Sequence, residues 1–153
     1  MHEYRATIRW TRQGARFTDL RYSRSHEWAF DGGARVAASS SPKVVPLPFS
    51  VPEAVDPEEA LVASASSCHM LTFLYYAAKA GFVVDSYLDE PVGEMNKNDA
   101  GKLAITLITL HPRISFSGDK RPTTDDLRTL HHQAHSDCYI ANSVRCDIVV
   151  ADA

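Results

Sequence analysis

The sequence predicts an α+β protein. Three observations carry the prediction: short alternating apolar stretches open the chain, a long apolar helix signal with a clear capping motif fills the middle, and more short strands follow with one amphipathic helix among them. Strands, long helix, strands, helix, strand is the order of a fold whose helices are segregated from mostly antiparallel sheets. At 153 residues the chain is one domain long. The expectation is a single domain over 1–153, with a β-meander over about 1–40, a connector over about 41–55 and a helix-containing portion over 56–153.

The elements follow in order. From His2 to Arg12, Tyr4, Ala6, Ile8 and Trp10 fall on one face, the pattern of a half-buried strand. Leu20 to Phe30 alternates again and stops at Asp31-Gly32-Gly33, and Arg35 to Ser39 offers a third short strand. Residues 39–52 are rich in serine and proline, which withholds amide donors and predicts a loop. Asp56 then caps a helix, with Pro57 at its first position and Glu59 completing a capping box. Gly81 marks its end. The interior from Ala60 to Ala78 is apolar or small on nearly every face and predicts a buried central helix. Strands are predicted over Phe82–Tyr87, around Glu90–Met95 and over Leu103–Leu110, with a turn at Asn96–Gly101. Thr123 or Thr124 caps a second helix, on which Leu127, Leu130, Ala134 and Cys138 share a face, and Val144, Cys146, Ile148 and Val150 alternate in a last strand.

Composition excludes several classes. Hydrophobic residues make up 44%, enough for a core, and a net charge of −3 with no basic stripe argues against nucleic-acid or acidic-membrane partners. No apolar run approaches the roughly 18 residues of a membrane span, and the first residues lack the apolar stretch of a signal peptide. The expected location is the cytoplasm, where thiols stay reduced and any disulfide is transient and catalytic.

The three cysteines are the candidate chemistry. Cys146 reads as a small buried hydrophobe on an inward strand position. Cys68 lies deep in the apolar helix, flanked by Ser64, Ser66 and Ser67, far from the amides that lower a thiol pKa at a helix start, so a thiolate there needs a cation from another segment. Cys138 stands at the end of the other good helix, where a second thiol could approach. Two other chemistries compete. His131, His135 and Cys138 follow i, i+4, i+7; His131 and His135 could hold zinc with Cys138 or His69 completing the site, although Arg128, His131, His132 and His135 also read as a solvated face. A Cys68 hydrolase would need His131 or His135 as base, because adjacent Cys68 and His69 point about 100° apart.

The words D56-P-E-E-A-L-V-A-S-A-S-S-C-H-M-L-T-F-L and A134-H-S-D-C-Y-I-A-N-S-V resemble the two cysteine signatures of the OsmC/Ohr family of organic hydroperoxide reductases, in the right order and at a fitting distance. The Cys-His-Met-Leu word and the proline-rich connector point to an OsmC-like subgroup rather than the Ohr branch. The resemblance implies an interlocked homodimer with two sites at its interface, Cys68 as the peroxidatic thiolate and Cys138 as the resolving thiol. It also implies Glu58 as the carboxylate pairing with a catalytic arginine, for which Arg24 is the best match and Arg21 the fallback. Ten residues of helix separate Glu58 from Cys68 by about 15 Å, so they cannot touch within one helix, and a second subunit is the expected solution. The implied substrate is an organic hydroperoxide, the implied reductant a dithiol carried by a lipoylated protein, and no metal, flavin or haem is implied. A non-catalytic dimeric stress or ligand-binding protein of the same fold, and the zinc protein using His131, His135 and Cys138, are the alternatives.

Overall fold

The computed structural model describes residues 1–152. The chain forms two compact units, Met1–Ala60 and a second that begins at Leu61. In the first, β1 (Ala6–Arg9), β2 (His26–Phe30) and β3 (Arg35–Ala38) form the expected antiparallel meander, with Ala6 opposite Phe30 and Trp28 opposite Val36. Two expectations change here. Residues 20–25 are not strand: Leu20 takes φ +62°, and Tyr22 turns into an aromatic cluster with Phe17 (4.7 Å) and Trp10 (5.5 Å). And β1 is not half-buried: all four of its residues are exposed, Ile8 by 60%. The serine- and proline-rich connector is a loop, as predicted. Buried Ser39 fastens it, donating its amide to Val55 O (3.0 Å) and accepting the Val51 amide on Oγ (3.0 Å).

Helix α1 (Pro57–Lys79) starts as its sequence dictates. Glu59 N–H donates to Asp56 Oδ1 and Asp56 N–H to Glu59 Oε1, both at 2.8 Å. Its end is also legible: Gly81 at φ +84° lets Phe82 N–H reach Ala77 O and Gly81 N–H reach Ala78 O, the paired bonds that close a helix with a left-handed residue. The expectation of burial on nearly every face is corrected. Only Ala65, His69, Phe73 and Ala77, at four-residue spacing, are buried, while Leu71 and Tyr75 are exposed by 61% and 59%.

The second unit packs two sheets and α2 (Thr124–Asp137) with α1. Strands β4 (Val83–Leu88) and β7 (Arg113–Ser117) pair antiparallel. Strand β6 (Leu103–Leu110) is central to the other sheet, antiparallel to β5 (Val92–Lys97) and parallel to β8 (Asp147–Val150). Strand β7 was not expected from the sequence, although Ile114 and Phe116 alternate with Arg113, Ser115 and Ser117. It lies between Pro112 and Gly118 and is short. Two cores result. Phe73, Ala77, Phe82, Leu130 and Ala134 fill one, with Ile114 and Phe116 against them; Ala65, Ile108, Leu110 and Ile148 fill the other. Close approach of α1 to β5 requires Gly93, where a Cβ would fall 2.4 Å from Val62 Cγ2.

Candidate active site

Helix α1 carries Cys68 in its middle, and the end of α2 brings Cys138 to it. The second helix is capped by Thr123, whose hydroxyl accepts the Asp126 amide (3.1 Å) while Asp126 accepts the Thr123 amide (2.8 Å). It stops at Asp137. Cys138 is already extended, with φ −67° and ψ 114°, so it leaves the helical face it was expected to share with Leu127, Leu130 and Ala134. The turn that follows holds it: Asn142 N–H donates to Cys138 O (3.0 Å), and Ala141 N–H points at Cys138 Sγ (3.4 Å).

The two thiols, 70 residues apart in sequence, are neighbours. Cys138 is 1% exposed, and all three cysteines are free thiols. Burial raises the Cys138 pKa, and the neighbouring Cys68 raises it further, so Cys138 keeps its proton. An open groove of about 590 Å³ lies between residues that follow the two cysteines. It is lined by Leu71, Thr72 and Tyr75 following Cys68 and by Tyr139 and Asn142 following Cys138. Of the serines beside Cys68, Ser66 is spent as a donor to Asp89, and Ser64 and Ser67 face outward. Phe73 and Phe82 are core, not groove. Cys146 packs against the Ile108 and Ile148 core, a filler as expected.

The remaining site candidates are placed differently. Glu58 lies in the first turn of α1, and its Oε2 is buried with no hydrogen-bond partner among the described residues. Arg24 does not pair with it. The guanidinium donates to Leu20 O (2.8 Å) and Tyr22 O and lies 3.7 Å over the Tyr22 ring, because the turn at Leu20 gathers those carbonyls around it. Arg21 lies over Phe49 at 5.7 Å. The zinc set does not assemble: among the described residues no three His, Cys, Asp or Glu side chains are grouped to hold a metal. Cys138 has left the helix for Cys68, and His131 has turned to His69, whose Nε2 lies 3.0 Å from His131 Nδ1 with the rings nearly parallel at 12°. The sequence brought His69 and His131 together only as candidate zinc ligands, not as a directly bonded pair. The one sign of it was a histidine at a position that continues the Ala65, Phe73, Ala77 stripe.

Fold and site together define an α+β protein with a paired-thiol centre on its long helix. The chain belongs to the OsmC-like protein family, whose model matches residues 50–151. It is similar over 99% of both chains to an OsmC-like protein of unknown function from Vibrio cholerae, at 50% identity and TM-score 0.96. It shares its fold with an organic hydroperoxide resistance protein from Elizabethkingia anophelis (15% identity, TM-score 0.71, covering 100% of this chain and 98% of that one). The same holds for the organic hydroperoxide resistance protein OhrB of Bacillus subtilis (16% identity, TM-score 0.65, covering 97% and 95%). No curated protein matches the sequence. Among the described residues no helix is long and apolar enough to cross a membrane.

Proposed function

We propose that the protein is a thiol-dependent peroxidase that reduces organic hydroperoxides to alcohols. The observation that carries this reading is the nearness of Cys68 to a buried, protonated Cys138, with an open groove lined by residues that follow each of them. Relatives of the same fold are named organic hydroperoxide resistance proteins, which supports the substrate class. In this reading the Cys68 thiolate attacks the terminal peroxide oxygen, the O–O bond breaks, and the alkoxide takes a proton and leaves as the alcohol. Cys68 is left as a sulfenic acid. The Cys138 sulfur then attacks the Cys68 sulfur, its proton joins the departing hydroxide as water, and a Cys68–Cys138 disulfide remains. A dithiol, carried by a lipoylated protein, returns both thiols by exchange and becomes a disulfide itself.

Glu58 and Arg24 complete the proposed set, with the Glu58 that serves each Cys68 supplied by the second copy of a homodimer. A buried carboxylate oxygen without a partner is costly unless a donor meets it, and a guanidinium held by Glu58 would favour the Cys68 thiolate. Its cytoplasmic location follows the same reading.

The test is consumption of an alkyl hydroperoxide, with hydrogen peroxide in parallel and dihydrolipoamide as reductant. Wild type should turn over and Cys68→Ser should fall to the uncatalysed rate. Steady turnover by Cys68→Ser, or none by wild type with both thiols free, rejects the peroxidase and favours a non-catalytic binding protein.

A further inference from the structure

The turn that carries Cys138 is tied by a side chain with no part yet in the thiol chemistry. Cys138 follows the end of α2, where the last four carbonyls find no amide within the helix. Asn142 meets one of them. Its side-chain amide donates to Ser136 O (2.9 Å) and to Cys138 O (3.1 Å), and its backbone N–H also donates to Cys138 O (3.0 Å). Both side-chain partners are carbonyl oxygens, so only the nitrogen of the amide can face them. Asn142 thereby joins the last turn of α2, Cys138 and its own backbone into one piece. Ser143 cannot replace it, because its hydroxyl is given to Tyr139 O (2.6 Å). The consequence falls on the sulfur. Within this turn Ala141 N–H points at Cys138 Sγ (3.4 Å). Burial and Cys68 raise the Cys138 pKa, and the Ala141 amide pulls it back. A donor on sulfur favours the thiolate, which is the attacking form.

We propose that Asn142 is a positioning residue for disulfide closure: its two side-chain hydrogen bonds hold the turn in which the Ala141 amide meets the Cys138 sulfur. The inference rests on the peroxidase reading of the two thiols. In closure the Cys138 sulfur bonds to the Cys68 sulfur, the Cys68 S–O bond breaks, and the departing hydroxide takes the Cys138 proton and leaves as water. Negative charge gathers on the Cys138 sulfur as that proton departs. Cys138 is 1% exposed, so bulk water is a poor source of the donor that this charge needs. The Ala141 N–H supplies it, and a donor already in place needs no reorganisation at the moment of reaction. Without the Asn142 side chain, Ser136 O loses its partner and Cys138 O keeps only the backbone N–H. The turn then has fewer bonds to hold it, and the amide spends less time on the sulfur.

The test is a pH titration of the Cys138 ¹³Cβ resonance in the full chain carrying Cys68→Ser, with Asn142 present or changed by Asn142→Leu or Asn142→Ala. Leucine keeps the size of the side chain, alanine does not, and neither donates. Both variants should move the Cys138 titration to higher pH. The Ala141 amide proton should shift with that titration when Asn142 is present and shift less in both variants. With Cys68 intact, both variants should slow disulfide closure after one equivalent of tert-butyl hydroperoxide by about tenfold, the value of one or two hydrogen bonds, and leave the rate of Cys68 oxidation unchanged. A Cys138 titration that either variant leaves in place overturns the proposal, and so does closure at the wild-type rate. If wild-type Cys68 is not oxidised at all, the peroxidase reading fails by itself, and the titration still decides whether Asn142 holds the amide on the sulfur. If neither variant folds, the Asn142 protein decides: its side-chain amide protons should shift together with the Ala141 amide as Cys138 titrates, and unmoved resonances overturn the proposal.

Discussion

Lowering the pH from about 7 to about 4 should destabilise the fold through His69, by an amount the structure fixes. Burial holds the His69 pKa down at about 4, and the neighbouring His131 and His135 lower it further against the opposing pull of Asp89. In the unfolded chain the ring returns to its ordinary value of about 6.5. The unfolded state therefore binds more protons than the folded state throughout that window, so stability falls as pH falls through it. At about 1.36 kcal/mol per pKa unit, a gap of about 2.5 units is worth about 3 kcal/mol, essentially all of it lost by pH about 4. Burial lowers the His131 pKa as well and adds in the same direction. The assay is urea unfolding across the window for wild type and His69→Gln, which removes the titrating ring but keeps an amide for His131. Wild type should lose about 3 kcal/mol more than the variant between the two ends. Parallel pH profiles for the two proteins would refute the reasoning, because the buried ring would then not be the group excluding the proton.

Other consequences are local. Cys138→Ser should still oxidise at Cys68 by one equivalent of peroxide, visible as a mass gain of one oxygen, and form no intramolecular disulfide; normal cycling with a dithiol would remove Cys138 from the proposed resolving role. Gly93→Ala places a methyl on Val62 and should cost about 1–3 kcal/mol in denaturant unfolding, the range of overpacked cores. Thr123→Ala loses both hydrogen bonds of the Thr123 hydroxyl, to the Asp126 amide and to its carboxylate, keeps the one from the Thr123 amide, and should cost about 1 kcal/mol by the same measurement.

Features that a few consecutive residues determine were legible in the sequence. The Asp56–Glu59 box and the Gly81 stop are local chemistry, and they define α1 to within a residue. Strand β6 was read at its full length because eight largely apolar residues end at Lys102 and His111. Strand β7 was missed because five residues, only two of them apolar, carry too little pattern to outweigh a proline and a glycine at their ends. The Arg24 position was illegible for a different reason. Its guanidinium is captured by carbonyls that converge only because Leu20 adopts a left-handed backbone, and a leucine gives no warning of that.

The two buried contacts of α1 show why one was found and the other was not. Cys68 and Cys138 were joined by a resemblance between two sequence words, which already contains the tertiary information that spacing lacks. His69 and His131 are separated by 62 residues, and His131 lies outside both words. Helical periodicity alone reads His131 with His132 and His135 as a polar face, yet the phase of α2 puts His131 on the side that Ala134 and Leu130 bury. A quarter-turn of a fourteen-residue helix decides whether that ring meets water or His69, and only packing against Phe73, 4.5 Å from the His131 ring centre, sets the quarter-turn. The same packing leaves His69 Nδ1 buried without a hydrogen-bond partner among the described residues.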